Sequence, residues 1–434
     1  MKTALIFAHE CAPFHRPQST IGAQRPAQFA KHLPPLGWRV IVICCDKDQR
    51  ETARLADLTA LRNTTKTRLA ALNSATPLFI PTPSLTQDGW LDRAWRVNRE
   101  RPVLRRGLTA AKFFTGDWSQ SWQPCARAAA EVVAETVKVD VVLGEHGPDA
   151  GLFLARWYAR KYGVPWVADL RDPLLRPFRG MARRVYGRVA RHLLKTAAGT
   201  IAVTPVWAAL DEKLLGRRVW CIPNGYDPTE FAPVAVTKKN KFIIAFAGNI
   251  RETFAIFIEG LRLLQERLSA EDYAALRFCY WGVAHERVRD LALQAGLTEI
   301  VETQPHGERE SVLRALSSAD LLLLLTLPDS SKSDEYLASG LYPGKLFEYW
   351  GARRPVLCVP SDGGLLDDLL RRSRTGESAR TPAAVADYVA QALRAWQDGE
   401  SLPYQPDETV LASFTRERLT RRLAQVLDEV GSGE

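Results

Sequence analysis

A short stretch, Gly340–Gly364, places a lysine and a glutamate at a spacing suited to binding a nucleotide. Pro343 and Gly344 predict the start of a helix, because proline in a first helical turn loses no hydrogen bond. Lys345 and Glu348 then share one face near the helix N-terminus, where free amides and the helix dipole attract anions. The stretch therefore indicates either a phosphate beside a sugar diol or one more strand–helix unit with two surface charges.

Two further glycine turns have the same strand–loop–helix context. After the predicted strand Val356–Val359, Gly363 lies in a turn that leads into another helix. The strand Phe242–Ala247 is followed by Gly248, Asn249, Ile250 and Arg251. Glycine lets a backbone approach a ligand closely, and an arginine fork matches the geometry of a diphosphate. We therefore expect Gly248, Asn249, Arg251 and Gly363 to contribute to an anion site.

The N-terminal half begins with the alternation of a doubly wound α/β domain. Strand Thr3–Ala8, a loop that includes Gly22, helix Ala23–Leu33 and strand Arg39–Cys45 follow one another. The loop lacks the GxGxxG pattern of dinucleotide-binding folds. Asp46-Lys47-Asp48 has the DxD spacing of some metal sites, but it ends a strand in a polar loop, and we expect no metal there.

Charged side chains cluster at the ends of two predicted strands. His146 follows the strand Val139–Gly144, and Asp169, Arg171 and Asp172 follow the next strand. Parallel α/β sheets bind ligands at the carboxyl ends of their strands, which favours a functional site here. The alternatives are a structural histidine and an internal Asp–Arg ion pair.

The helix predicted over Met181–Lys195 is amphipathic and strongly basic. Between Arg171 and Ala198 the chain has eight Lys and Arg residues against one Asp. The spacing predicts a basic face of Arg184, Arg188, Arg191 and Lys195 opposite an apolar face of Val185, Tyr186, Val189 and Leu193. Such a face is either solvated or suited to an anionic lipid surface or a diphosphate-linked acceptor. Nucleic acid is a weaker option, because no binding motif accompanies the charge.

Length and composition place these motifs in a two-domain globular protein. The chain has 434 residues, 46% hydrophobic and 25% charged, with a net charge of +9. Seven scattered cysteines without a CxxC pair favour reduced thiols over disulfides or zinc. We find no signal peptide, and the longest aliphatic run, Leu321–Leu325, is too short for a membrane span. We therefore expect a cytoplasmic chain without a transmembrane helix.

The α/β alternation restarts after residues 231–240, which read as a hinge, whereas residues 51–124 show little pattern. The sequence thus predicts two Rossmann-like domains that face an interdomain cleft. We place the N-terminal domain at 1–215, completed by a crossover helix at 413–434, and the C-terminal domain at 216–412.

The motifs, taken together and in order, resemble the glycosyltransferase family 4 type with the GT-B fold. The matching strings are a glycine loop with Arg25, EHGP at 145–148, ADLRDP at 168–173, IPNGYD at 222–227, GNIR at 248–251, PGKLFEY at 343–349 and RPVL at 354–357. The resemblance implies transfer of a sugar from a nucleotide donor with retention of configuration and without a metal or other cofactor. It also implies that the last helix crosses back onto the N-terminal domain.

By the same resemblance, specific residues acquire expected roles. Glu348 looks like the carboxylate that binds the donor ribose, with Pro343 and Gly344 at the same helix start. Arg251 and Lys345 look like diphosphate cations, and His146 resembles the histidine near the donor sugar.

Gly22 resembles the N-terminal loop that approaches the diphosphate, while Asp169, Arg171 and Asp172 would face the acceptor side. One departure is Gly340, where many members carry a glutamate. This departure concerns the choice of donor sugar.

The preferred function is a retaining, metal-independent transfer to a hydroxyl acceptor in cell-surface polysaccharide or glycoconjugate assembly. The acceptor would be lipid-linked or at a membrane surface that the basic helix contacts, with no nucleic acid partner. A sugar-nucleotide epimerase on the same fold and a non-catalytic sugar-nucleotide-binding subunit remain the alternatives. A basic adaptor for nucleic acid or membrane is a third.

Overall fold

The computed structural model describes residues 1–14, 21–46, 58–84, 101, 117–175, 179–231, 240–305, 307–326, 340–400 and 404–432. The chain forms two compact units. The first unit comprises Met1–Pro223 and Arg416–Glu434, and the second comprises Asn224–Thr415. Each unit is built around its own parallel sheet.

Seven parallel strands form the sheet of the first unit. In chain order they are β1 (Lys2–Ala8), β2 (Trp38–Cys45), β3 (Leu78–Thr82), β4 (Val141–His146), β5 (Trp166–Leu170), β6 (Gly199–Ala202) and β7 (Trp220–Cys221). Across the sheet their order is β3-β2-β1-β4-β5-β6-β7. The order reverses direction between β1 and β4, and the carboxyl ends of these two strands flank the crevice in which such folds bind ligands.

Seven helices belong to the first unit among the described residues. They are α1 (Ile21–His32), α2 (Leu58–Leu69), α3 (Gln123–Thr136), α4 (Ala150–Tyr162), α5 (Gly180–Leu194), α6 (Pro205–Leu215) and, at the end of the chain, α15 (Arg416–Ser432). Short 3₁₀ turns occur at Pro34–Leu36 and Asp117–Trp122.

The terminal helix α15 is an integral part of the first unit. Leu419, Leu423 and Leu427 are completely buried and share a core cluster with Phe29 and Leu33 of the α1 region. The three leucines recur every four residues, which places them on one face of the helix. The expectation that the last helix returns to the N-terminal domain is therefore met.

The second unit repeats the same sheet architecture with six parallel strands. They are β8 (Phe242–Ala247), β9 (Leu276–Trp281), β10 (Val301–Gln304), β11 (Leu321–Leu325), β12 (Val356–Val359) and β13 (Gly376–Ser378). Their order is β10-β9-β8-β11-β12-β13, with the reversal between β8 and β11. The predicted α/β class, with two Rossmann-like sheets, is confirmed.

Helices cover the sheet of the second unit. They are α7 (Phe254–Gln265), α8 (Ala270–Ala275), α9 (His285–Gln294), α10 (Arg309–Ser318), α11 (Gly344–Ala352), α12 (Leu365–Ser373), α13 (Pro382–Gln397) and α14 (Glu408–Ser413), with a 3₁₀ turn at Pro228–Glu230. None of the described helices in either unit combines the length and the apolar character that a membrane span requires.

The structure differs from the sequence-based expectations in three places. Strand β7, which falls within the predicted C-terminal domain, pairs with β6 at the edge of the first sheet. The unit boundaries accordingly follow residues 223 and 415 instead of 215 and 412. The unpatterned segment 51–124 contains helix α2 and strand β3, whose edge position requires little apolar alternation. Residues 232–239 of the predicted hinge lie outside the described residues.

Candidate functional site

The loop after β8 is shaped around a lysine from another element of the second unit. Gly248 has φ of 134°, and a Cβ at this position would lie 2.6 Å from Nζ of Lys345. The Tyr280 hydroxyl donates a hydrogen bond of 2.6 Å to the Gly248 carbonyl, and the Gly248 amide donates to Trp281 at 2.7 Å. The lysine side chain therefore lies directly over this backbone, and only glycine leaves room for it.

Lys345 also lies in the first turn of α11, which begins without a side-chain cap. Pro343 precedes the helix and makes no side-chain hydrogen bond to it, and the first turn contains no acidic residue. Burial lowers the pKa of Lys345, the Glu348 charge opposes that shift, and Arg309 adds to it. Its ammonium lies 5.9 Å from the ring of Phe246. A cation beside an uncapped helix start, in a partly desolvated setting, is suited to an anion.

Glu348 lies one turn further along α11 and takes part in a charge bridge that the sequence did not predict. Nη1 of Arg309 donates to Oε1 of Glu348 at 2.6 Å, and Nη2 donates to Oε2 of Glu230 at 2.9 Å. Neither Arg309 nor Glu230 stands in a recognisable motif. Only their positions, at the start of α10 and in the turn after IPNGYD, could have pointed to a role in the site.

The other residues predicted in this unit have different surroundings. Asn249 and Arg251 are exposed in the loop between β8 and α7. The amide of Gly363 donates to Oδ2 of Asp367 at 3.0 Å, and the Asp362 carboxylate accepts from the amides of Gly364 and Leu366. The start of α12 thus already binds an internal carboxylate, so the predicted donor contact of Gly363 would have to displace it.

In the first unit, Asp169 is a structural residue. Arg25 forms two hydrogen bonds of 2.8 Å with its carboxylate, and both side chains are at most 1% exposed. Arg25 also donates to the carbonyls of Ile222 and Pro223 at 3.0 Å. The ion pair joins β5, α1 and the segment after β7, so the expectation that Asp169 faces an acceptor is wrong. Its carboxylate binds Arg25 in the interior and is not available to a ligand.

Arg171 lies at the crevice and contacts Gly147 and the predicted site residue Gly22. Its guanidinium donates to the Gly147 carbonyl and, at 3.2 Å, to Oε1 of Glu145. A Cβ at Gly22 or Gly147 would overlap the guanidinium. Gly22 lies in the first turn of α1 instead of in a loop, and it makes room for an arginine of its own unit.

Burial dominates the protonation behaviour around Arg171. Glu145 is 1% exposed, and burial raises its pKa well above the usual range, while the Arg171 charge opposes that shift. Oε2 of Glu145 has no hydrogen-bond partner. Glu10 lies 3.5 Å from the same guanidinium. Arg171 therefore serves mainly to neutralise its own carboxylate neighbours.

His146 ends β4 and lies near Asp149 and Asp211, neither of which belongs to a motif that the sequence reveals. Its Nε2 is 2.9 Å from Oδ1 of Asp149, and its Nδ1 is buried without a partner. Burial lowers the pKa of His146, but the hydrogen bond and charge of Asp149 and the charge of Asp172 raise it, and the net shift is upward. Burial also raises the pKa of Asp211, on α6, to about 7, against the effect of the His146 charge.

The predicted residues thus form one group in each unit. Gly248, Gly344, Lys345 and Glu348 come together in the second unit. Gly22, His146, Arg171 and Asp172 lie around the β1 and β4 ends of the first. Among the described residues, no cluster of three or more His, Cys, Asp or Glu side chains could hold a metal ion, and Lys47 and Asp48 of the DxD lie outside that part of the chain.

Comparison with known proteins adds to this geometry. The sequence model of Glycosyltransferase Family 4 matches residues 24–230. None of the curated proteins compared with the chain matches it significantly.

Several solved structures share the fold. Sucrose-phosphate synthase from Thermosynechococcus elongatus aligns over 100% of both chains, with 14% identity and a TM-score of 0.64. A glycosyltransferase from Rickettsia africae aligns over 100% of this chain and 99% of its own, with 14% identity and a TM-score of 0.59. HepE from Anabaena, in complex with UDP and glucose, aligns over 99% of this chain and 100% of its own, with 13% identity and a TM-score of 0.57.

At such low identity the structural likeness establishes the fold alone, and the family model covers just under half of the chain. The GT-B fold with two parallel Rossmann-like sheets agrees with both. Residues 24–230 are thus similar in sequence to Glycosyltransferase Family 4, and the chain shares its fold with the solved structures named above.

Proposed function

We propose that the protein moves a sugar from a nucleotide-sugar donor to a hydroxyl acceptor, with retention of configuration and without a metal. The observation that supports this proposal best is the position of Lys345, which lies over Gly248 at the uncapped start of α11, one turn before Glu348. A cation, a helix N-terminus and a carboxylate at this spacing match a diphosphate and a ribose diol.

In this proposal the second unit binds the donor. The diphosphate lies against the start of α11, and Lys345 and the exposed Arg251 stabilise the negative charge that develops as the diphosphate leaves. These cations and the helix dipole would do what a metal ion does in other sugar transferases. HepE from Anabaena, which shares the fold, has been solved with UDP and with UDP-glucose, which supports a donor of this chemical class.

The first unit would carry the acceptor and contribute His146 to the reaction. Arg171 and Asp172, at the same strand ends, remain acceptor-side candidates, whereas Asp169 does not, because it is buried with Arg25. A protonated His146, favoured by Asp149, would place a positive charge near the substrate at the end of β4.

We further propose that helix α5 contacts a membrane that carries a lipid-linked acceptor, which fits assembly of a cell-surface polysaccharide or glycoconjugate at the inner membrane face. Arg184 and Arg188 are exposed on this helix. Val185, which we expected on the buried face, is 42% exposed, and Met181 is 70% exposed one turn earlier. Arginines beside exposed apolar side chains suit an anionic lipid surface.

Thermal shifts with a panel of nucleotide sugars would test the donor assignment, followed by incubation of the tightest donor with lipid extracts and alkyl glycosides. The proposal predicts nucleoside diphosphate release that depends on acceptor, persists in EDTA and gives a product with the donor's anomeric configuration. The E348A variant should bind the nucleotide about tenfold or more weakly.

The same experiment separates the competing functions. An epimerase would convert the donor alone into a new sugar nucleotide. A binding subunit would release no diphosphate with any acceptor, although it would still show a thermal shift. Release that requires a divalent cation would contradict the metal-independent mechanism.

A further inference from the structure

Among the described residues, Arg309 joins the proposed ribose carboxylate, Glu348, to Glu230 in another part of the second unit. We propose that Arg309 is a positioning residue for donor binding: it holds the Glu348 carboxylate in one orientation, with Glu230 as its anchor. The proposal rests on the proposed function, because Glu348 is taken to bind the ribose.

The two ion pairs of Arg309 are short, and their side chains are mostly shielded from solvent. The two bonds of the Arg309 guanidinium, 2.6 Å to Glu348 and 2.9 Å to Glu230, are short enough to be charge-assisted. The side chains of Arg309, Glu348 and Glu230 are 19%, 13% and 25% exposed. Since solvent reaches the pair only partly, water weakens this bridge less than it weakens a fully exposed ion pair.

The bridge leaves Glu348 able to bind a ligand. A carboxylate offers about four lone-pair sites on two oxygens, and the bond from Arg309 uses one of them, on Oε1. The remaining sites can accept hydrogen bonds from two ribose hydroxyls. A flexible glutamate would lose rotamer freedom on binding, so a carboxylate that is already held binds more tightly.

The charge balance argues against a direct role of Arg309 in phosphate binding. Each terminal nitrogen of its guanidinium donates to a carboxylate and Nε is buried, so two anions already surround the charge that would attract a phosphate. Both carboxylates raise the pKa of Arg309 against the effect of burial, which is the expected result for a cation enclosed by two anions. Lys345 remains the cation at the helix start.

Removal of Arg309 therefore has a specific consequence. Glu348 and Glu230 would remain in one partly buried region without the cation that separates them. Repulsion would then favour rotation of Glu348 out of its held orientation, and this change weakens its acceptance of hydrogen bonds from ribose hydroxyls. The effect should depend on the ribose hydroxyls and not on the phosphates.

Calorimetry with ribonucleoside diphosphates tests this dependence. UDP, GDP, ADP and CDP would be titrated into the wild-type protein, and the tightest would be compared with its 2′,3′-dideoxy counterpart. We expect R309Q to weaken the ribonucleotide about tenfold and the dideoxy nucleotide less than about twofold. The R309Q/E348A double variant should bind no more weakly than E348A, since both changes act through one carboxylate.

Two further variants serve as controls. Arg314, on the same helix α10, forms an exposed ion pair with Glu310 at 2.8 Å, so R314Q removes an equal charge without touching the bridge and should leave both affinities unchanged. R309K retains the charge but not the fork that spans two carboxylates, so it should keep part of the preference for ribose. If R309Q does not fold, R309K and E230Q decide by the same ratio of affinities.

Each outcome has a distinct meaning. Equal weakening of the ribonucleotide and dideoxy nucleotide by R309Q would show that Arg309 supports the fold or the phosphates, and the proposal would be wrong. Weakening by E348A with none by R309Q would overturn the positioning role alone. If no diphosphate binds, or E348A leaves binding unchanged, the proposed donor site fails, and the role of Arg309 fails with it.

Discussion

Gly248 shows how the absence of one side chain shapes the proposed donor region of the second unit. Its φ of 134° is a conformation that side chains disfavour, and a Cβ would also meet the Lys345 side chain. We expect G248A to displace the lysine and to cost about 1–3 kcal/mol in backbone strain. Calorimetry should show nucleotide binding weakened about tenfold or more, because Lys345 loses its place at the start of α11.

Gly296 offers the matched control for that substitution. It has a positive φ of 72° in the same unit, with no heavy atom within 4 Å of an added Cβ. G296A should therefore lower stability with no change in nucleotide affinity. Equal affinities of G248A and wild type would contradict the role given to this glycine.

The raised pKa of Asp211 makes the folding stability of the first unit depend on pH. Burial raises the pKa of Asp211 from 3.8 to about 7. Below pH 4 the carboxyl is neutral in both the folded and unfolded states. Between about pH 4 and 7 only the unfolded state ionises, so folding stability falls, by up to about 4 kcal/mol from this group.

The D211N variant should remove that loss. Its melting temperature should exceed that of the wild type at pH 8 by more than at pH 5, as circular dichroism can measure. The groups that face this side chain include His146, whose own raised pKa gives stability that is lost as pH rises through its folded value. Parallel pH profiles of the two proteins would contradict a buried, protonated Asp211.

At the scale of elements, the two helix starts of the second unit differ in a way that bears on function. The start of α12 is capped by Asp362, whose carboxylate accepts amide hydrogen bonds from Gly364, Leu366 and Asp367. The start of α11 has no side-chain cap. Since both helices have the dipole that attracts anions, the internal carboxylate decides which start is open to a ligand.

Helix α5 carries the prediction about membranes. The double variant R184E/R188E should bind vesicles of phosphatidylcholine and phosphatidylglycerol at least about tenfold more weakly, because each basic residue near an anionic surface contributes about 1 kcal/mol. R287E/R289E, on the exposed side of α9, changes the net charge equally and serves as control. Co-sedimentation measures both, and equal losses would indicate that net charge alone is responsible.

At the scale of the whole molecule, the chain is divided so that its last helix completes the first unit. Leu423 of α15 is completely buried in that unit's core. L423A should lower the stability of the first unit by about 2–5 kcal/mol, because it leaves a cavity. Differential scanning calorimetry should show a shift in the transition of this unit.

Arg418, exposed on the same helix, provides the control, and R418A should change stability by no more than about 0.5 kcal/mol. Nucleotide affinity of L423A should remain that of the wild type, since the proposed donor residues belong to the second unit. A loss of nucleotide binding by L423A would contradict the placement of the donor site in the second unit.

Much of the architecture could be predicted from local pattern. The strands Phe242–Ala247 and Val356–Val359 have the bounds that their apolar runs indicate. Buried parallel strands are nearly continuous apolar segments, so the signal is strong. The edge strand β3 escaped prediction because its apolar run, Leu78–Ile80, is only three residues long and is followed by a proline.

The amino-acid sequence alone determined the repeated α/β alternation, the positions of the glycine turns and the resemblance carried by the ordered motifs, because each depends on neighbours along the chain. Tertiary structure decided which charges serve the fold and which remain for a ligand. Asp169 and Arg25 are 144 residues apart, and Arg309 and Glu348 are 39 apart. Such pairs form only when the sheets assemble, so the spacing of residues along the chain cannot predict a partner from a distant element.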